Sequence, residues 1–152
     1  MFNKILMAMD GSNSSKNAVK VAADLALEQH AELFILTVVP PLPTVLFDDS
    51  QIEYVPEMQE EVIASFENQI SKTIDDLKKT HPGLKSYPLL KEGNPATIIV
   101  EAAKTIQTDL IVVGNRGTGG ILTWMLGSVS RQVTESCTVP VLVVKDQKYC
   151  EN

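Results

Sequence analysis

The residues best suited to chemistry lie between Asp109 and Ser130, in the stretch DLIVVGNRGTGGILTWMLGSVS. Gly114, Gly117, Gly119 and Gly120 crowd together there, half of the eight glycines in the chain. Gly127-Ser128 follows, with nine residues between Gly117 and Gly127. The apolar run Leu110–Val113 ahead of them reads as a buried strand, and Ser128 to Ser136 reads as a helix. A strand, a glycine-rich turn and a helix that opens with hydroxyl residues make a cradle for an anion. Backbone N–H groups in a first helical turn have no partner within the helix. The helix dipole favours an anion there by about 0.3–1 kcal/mol. A charge-assisted hydrogen bond, such as one from the Ser128 or Ser130 hydroxyl, adds roughly 1.5–3 kcal/mol. Two or three such contacts support micromolar affinity. Arg116 supplies a positive charge from the turn itself.

Other phosphate-binding patterns are excluded. A Walker A loop needs G-x-x-x-x-G-K-[ST], and the chain contains no Gly-Lys pair. A dinucleotide fingerprint needs G-x-G-x-x-G directly after the first strand. Here Asp10-Gly11-Ser12 occupies that turn, and Leu122 stands where Gly117-x-Gly119 would need its third glycine. A receiver-type phosphoacceptor needs an acidic pair at the end of strand 1 and an aspartate after strand 3. Only Asp10 is present, and Leu90-Lys91-Glu92 follows strand 3.

The bulk composition narrows the class further. A chain of 152 residues with 44% hydrophobic and 21% charged residues suits one globular domain, expected over residues 1–146 with a polar tail at 147–152. A net charge of −6 argues against nucleic-acid or anionic-membrane partners, which demand a basic face. No apolar stretch approaches membrane-spanning length. The N-terminal MFNKILMAMD ends too soon in Asp10 for a secretory signal and reads as a first strand. Cys137 and Cys150 lack the spacing of a metal or redox pair, and His30 and His81 stand at helix ends without a partner cluster. A cytoplasmic location is the default expectation.

The elements that must position the cradle follow from the hydrophobic pattern. Phe2–Met9 is a strand, and Ser12, Ser14 or Ser15 caps the helix that carries Ala18, Ala22, Leu25 and Ala26 on one face. Leu33–Val39 is a second buried strand. Pro40 to Pro56 reads as a long loop. From Glu57 to Lys79 the four-residue recurrence of Val62, Phe66, Ile70 and Ile74 predicts a long amphipathic helix, stopped by His81-Pro82-Gly83. Leu84–Leu90 holds Pro88, which suits an edge strand. Asn94 caps a helix with Pro95 at its first position, and Pro140–Lys145 is the last strand.

Strands and helices thus alternate, which predicts an α/β fold. The expectation is a single doubly wound open sheet of five parallel strands, order 3-2-1-4-5, with helices on both faces. Strands 1 and 4 meet where the winding reverses, and open α/β sheets bind ligands at the carboxyl ends there. Asp10 ends strand 1 and Gly114 ends strand 4, so the glycine cradle falls at the switch point.

The spacing Gly114-x2-Gly117-x9-Gly127-Ser128 resembles the G-x2-G-x9-G-[ST] motif of the nucleotide-binding branch of the universal stress protein family. The resemblance extends to the first strand ending in Asp10, to Gly93-x-Pro95-Ala96 and to the closing Thr138–Val144, and so covers Ile5 to Val144. It implies a homodimeric ATP-binding protein of stress tolerance, with Mg²⁺ or Mn²⁺ on the phosphates. Carried over by position, Ala8, Met9 and Asp10 would flank adenine and ribose, and Val38 would meet adenine through its backbone. Val113, Gly114, Arg116 and Gly117 would line the ribose and phosphate side, and Gly127, Ser128, Val129 and Ser130 would hold the phosphates. The last strand, Val141, Leu142, Val143 and Val144, would pair with its copy in a two-fold dimer.

Asp10 carries alternatives of its own. A carboxylate repels a triphosphate unless it bonds a ribose hydroxyl or helps to hold the metal ion. It also suits the turn that starts the first helix. Three functions fit the whole pattern: a nucleotide-dependent sensor or switch, a slow ATP hydrolase or phosphotransferase, and an interaction module that needs no nucleotide. The first ranks highest, because the cradle is present while no clear general base or Walker-type lysine accompanies it. The apolar run Ile121–Leu126, with Trp124, is expected to pack on the body or at an interface.

Overall fold

The computed structural model describes residues 1–41, 46–47, 51–52, 56–115, 127–136 and 139–145. Arg116, Gly117, Gly119, Gly120, the run Ile121–Leu126, both cysteines and the 147–152 tail lie outside the described residues. In chain order the elements are β1 (Lys4–Ala8), α1 (Asn13–Gln29), β2 (Glu32–Val39), β3 (Leu46–Phe47), β4 (Gln51–Ile52), α2 (Pro56–Thr80), β5 (Lys85–Glu92), α3 (Pro95–Ile106), β6 (Leu110–Gly114), α4 (Ser128–Ser136) and β7 (Val141–Val144).

The main sheet runs β5-β2-β1-β6-β7 with every neighbouring pair parallel, which is the expected order 3-2-1-4-5. The stretch expected to be one long loop instead carries the two-residue antiparallel ladder β3–β4. Pro88 lies in the edge strand β5, where a missing N–H removes no bond from the sheet interior.

Alternation along each strand assigns side chains to two cores. Ile5, Met7, Leu33, Ile35 and Val112 pack with α1 and α2 on one face. Leu6, Leu36, Ile111 and Val113 pack with Ala96, Ile99, Ala103 and Val133 of α3 and α4 on the other. Ile5, Leu6 and Met7 are fully buried, and burial of such a side chain stabilises by roughly 1.5–3 kcal/mol. The buried face of α1 is mostly alanine (Ala18, Ala22, Ala23, Ala26), which lets the helix axis approach the sheet closely.

Side chains pin the elements at their ends. Asp109 Oδ2 accepts the backbone N–H of Asn3 at 2.7 Å and of Lys4 at 2.9 Å, tying the start of β6 to the start of β1. Those two bonds, the one from Asn3 first, hold its carboxyl below the ordinary aspartate range. His30 adopts the left-handed conformation that closes α1, with φ 53°, as its place at a helix end suggests. His81, at the end of α2, has Nε2 3.0 Å from Asp24 Oδ1 and so joins that helix end to α1. Spacing could not show this pair, because its members are 57 residues apart in sequence.

Candidate functional site

β1 pairs with β2 on one side and β6 on the other, so the winding reverses between β1 and β6. A cavity of about 430 Å³ opens at their carboxyl ends. Its wall brings together ten of the residues singled out from sequence: Ala8, Met9, Asp10, Val38, Val113, Gly114, Gly127, Ser128, Val129 and Ser130. The remaining two, Arg116 and Gly117, lie outside the described residues.

One end of the cavity is made by the start of α4. Arg131 N donates to Gly127 O at 3.0 Å, which makes Gly127 the residue that caps the helix. The N–H groups of Ser128, Val129 and Ser130 therefore belong to the first turn, where no intrahelical acceptor exists, and all three residues line the cavity. Ser128 is exposed and Ser130 is buried. The Ser130 hydroxyl donates to Gly114 O at 2.6 Å.

Backbone of a different kind is contributed by β2. The β1–β2 ladder ends at Ala8 and Leu36, and Met9 N closes it by donating to Leu36 O at 2.8 Å. Val39 O faces the other way and accepts Gly93 N at 3.0 Å. Groups two residues apart point to the same side of a strand, so the N–H and C=O of Val38 are directed past the end of β1, toward the cavity it lines. They present one donor and one acceptor side by side.

The rest of the wall is mainly apolar: Met9, Leu36, Pro40, Phe66, Pro95, Ile99 and Val113. The four-residue recurrence puts Phe66 on the apolar stripe of α2. Ile70, Ile74 and Leu77 of that stripe are in the core, whereas Phe66 is half-buried and overhangs the cavity. Ser15, Leu36, Pro40, Pro95 and Ile99 were also missed as wall residues, because they come from three separate segments that only the fold assembles.

Asp10 is the one ionisable side chain on the described wall. Its Oδ1 accepts Ser12 N at 3.0 Å, while Ser12 caps α1 by accepting Ser15 N at 3.1 Å. The turn-building role of Asp10 is thus realised through the helix cap. Among the described residues no group of three or more His, Cys, Asp or Glu is placed to hold a metal ion. A phosphate-bound cation would find in Asp10 a single carboxylate on this wall.

In this doubly wound α/β domain the first turn of α4 and the part of β2 that runs past β1 line one largely apolar cleft, an arrangement that can accept a small ligand with an anionic end. The universal stress protein family profile matches residues 1–145, and the chain belongs to that family. It is 38% identical over 148 residues to the universal stress protein YxiE of Bacillus subtilis, covering 95% of this chain and 100% of that protein. The solved structure of MJ0577, described as a structure-based assignment of biochemical function, superposes with a TM-score of 0.74 at 26% identity, covering 96% of this chain and 97% of that one. A universal stress protein solved in complex with cAMP superposes with a TM-score of 0.69 at 27% identity, covering 95% and 97%. Among the described residues no helix is long and apolar enough to cross a membrane.

Proposed function

We propose that this chain binds an adenine nucleotide, ATP by the motif it carries, and acts as a nucleotide-dependent sensor or switch in the stress response. The observation that carries the reading is that the first-turn residues Ser128–Ser130 and the Val38 backbone line one cavity. The first group suits phosphate. The second suits adenine, whose edge offers an amino donor beside a ring-nitrogen acceptor. Guanine presents the reverse order at the same positions, so a peptide N–H and C=O side by side favour adenine. The relative bound to cAMP, which carries adenine, ribose and one phosphate, supports the same ligand class.

Within this reading Asp10 bonds a ribose hydroxyl, and Mg²⁺ or Mn²⁺ is held chiefly by the phosphates. Binding rather than turnover is the activity proposed, since Asp10 alone among the described wall residues is ionisable. The chain works as a cytoplasmic homodimer joined along β7. Mass spectrometry of the small molecule that co-purifies with the protein, followed by calorimetric titration of ATP and GTP, tests the ligand. An adenine nucleotide in the purified protein and a preference for ATP are expected. No co-purifying nucleotide together with no binding at millimolar ATP would sink the reading.

A further inference from the structure

The two serines at the start of α4 are chemically alike and structurally opposed. Ser128 is exposed on the cavity wall, whereas Ser130 is only 5% exposed. A hydroxyl has one proton to donate, and Ser130 gives it to Gly114 O, the last carbonyl of β6, at 2.6 Å. A phosphate oxygen accepts and does not donate, so that proton is not available to it. Next in the chain, Asn115 makes three further bonds. Its N–H donates to Val144 O at 2.9 Å, and its C=O accepts Gly127 N at 2.8 Å. Its side-chain Oδ1 accepts the hydroxyl of the buried Ser14 at 2.7 Å. Both ends of the glycine stretch, residues 115 and 127, are therefore tied to each other, to β7 and to α1.

We infer that Ser130, together with the Ser14–Asn115 pair, is a positioning residue of the phosphate cradle: it fixes the direction of the first-turn amides and leaves hydroxyl donation to Ser128. This rests on the nucleotide reading above and divides the labour within that site. The α4 start hangs from the sheet by a side-chain bond at its third residue and a backbone bond at its cap. Without the Ser130 bond the helix start loses its side-chain tie to β6, and amides that must converge on one anion lose their common aim. Groups at Val38 do not depend on it.

Calorimetry with ATP and with adenosine, which lacks phosphate, separates positioning from general destabilisation. Ser130→Ala should weaken ATP by about tenfold and change adenosine by less than roughly twofold. Ser130→Thr, which keeps a hydroxyl, should recover most of the ATP affinity. Equal losses for ATP and adenosine, or an unchanged ATP affinity, would overturn the inference. Should Ser130→Ala fail to fold, Ser14→Ala removes the donor to Asn115 and should give the same ATP-selective loss; its absence counts equally against the proposal. Failure of the wild-type chain to bind either ligand would bring down the nucleotide reading itself. Amide hydrogen exchange of the protein alone then reads the clamp: Ser130→Ala should speed exchange at Gly127 and Arg131 while β1 stays protected, and unchanged rates there would refute it.

Discussion

Gly114 shows how a motif residue can be legible in sequence while its reason is not. Glycine spacing pointed to a backbone that approaches a ligand. The structure adds a neighbour on the other side: a Cβ at position 114 would stand 2.6 Å from Ser14 Oγ, 3.0 Å from the Ser14 carbonyl carbon and 3.1 Å from Ser15 N. Two of these are backbone atoms of α1 and do not swing aside. Gly114 is thus also the price of bringing α1 against the end of β6. Gly114→Ala should destabilise by about 1–3 kcal/mol, the usual cost of overpacking. For a chain of this size each kcal/mol lowers Tm by roughly 2–4 °C. An unchanged melting temperature would show that α1 yields freely. Ser130 is illegible for a related reason, since the letter for serine does not say which way its hydroxyl turns. Phe66 kept its helical period, yet it lines the cavity while Ile70, Ile74 and Leu77 of the same stripe are in the core.

At the scale of elements, punctuation was the readable part. Asn94-Pro95 announced the start of α3, and Asn94 Oδ1 does accept Thr97 N at 3.2 Å with Pro95 as the first helical residue. The start of α1 left three serines to choose among. Ser12 is the cap because the other two are engaged: Ser14 turns inward to Asn115, and Ser15 Oγ returns a bond to Ser12 O at 3.0 Å. Ser14 is settled by long-range packing, which no local rule could supply, and Ser15 by a local bond back to the cap. The β3–β4 ladder was missed because two-residue strands carry no period to detect. Because Pro95 and Ile99 of α3 line the cavity, the cap of this helix supports the site as well as the fold. Asn94→Ala should cost about 1 kcal/mol in urea unfolding, and Asn94→Asp should retain most of that stability. Equal stability of the alanine variant and the wild type would mean that the cap bond contributes nothing.

The topology of the whole molecule followed from alternation, a proline and handedness. Pro88 chose one edge, right-handed crossovers ordered the remainder, and the switch point fell beside Asp10 and Gly114. The opposite edge, β7, is a different surface. Its four residues are Val141, Leu142, Val143 and Val144, and among the described residues the strand pairs only with β6. Leu142 is 36% exposed, and β7 holds neither a proline nor a charge to discourage pairing. Val144 O is also the acceptor for Asn115 N, so the free edge and the cradle share a connection. The proposed two-fold dimer along β7 would place Leu142 near its own copy, where a lysine would face a like charge. Leu142→Lys should therefore shift the protein from dimer to monomer in sedimentation velocity at micromolar concentration. Because the position is partly exposed, the variant should still fold to the wild-type circular dichroism spectrum. A wild-type chain that sediments as a monomer, or a Leu142→Lys variant that stays dimeric, would remove β7 from the interface.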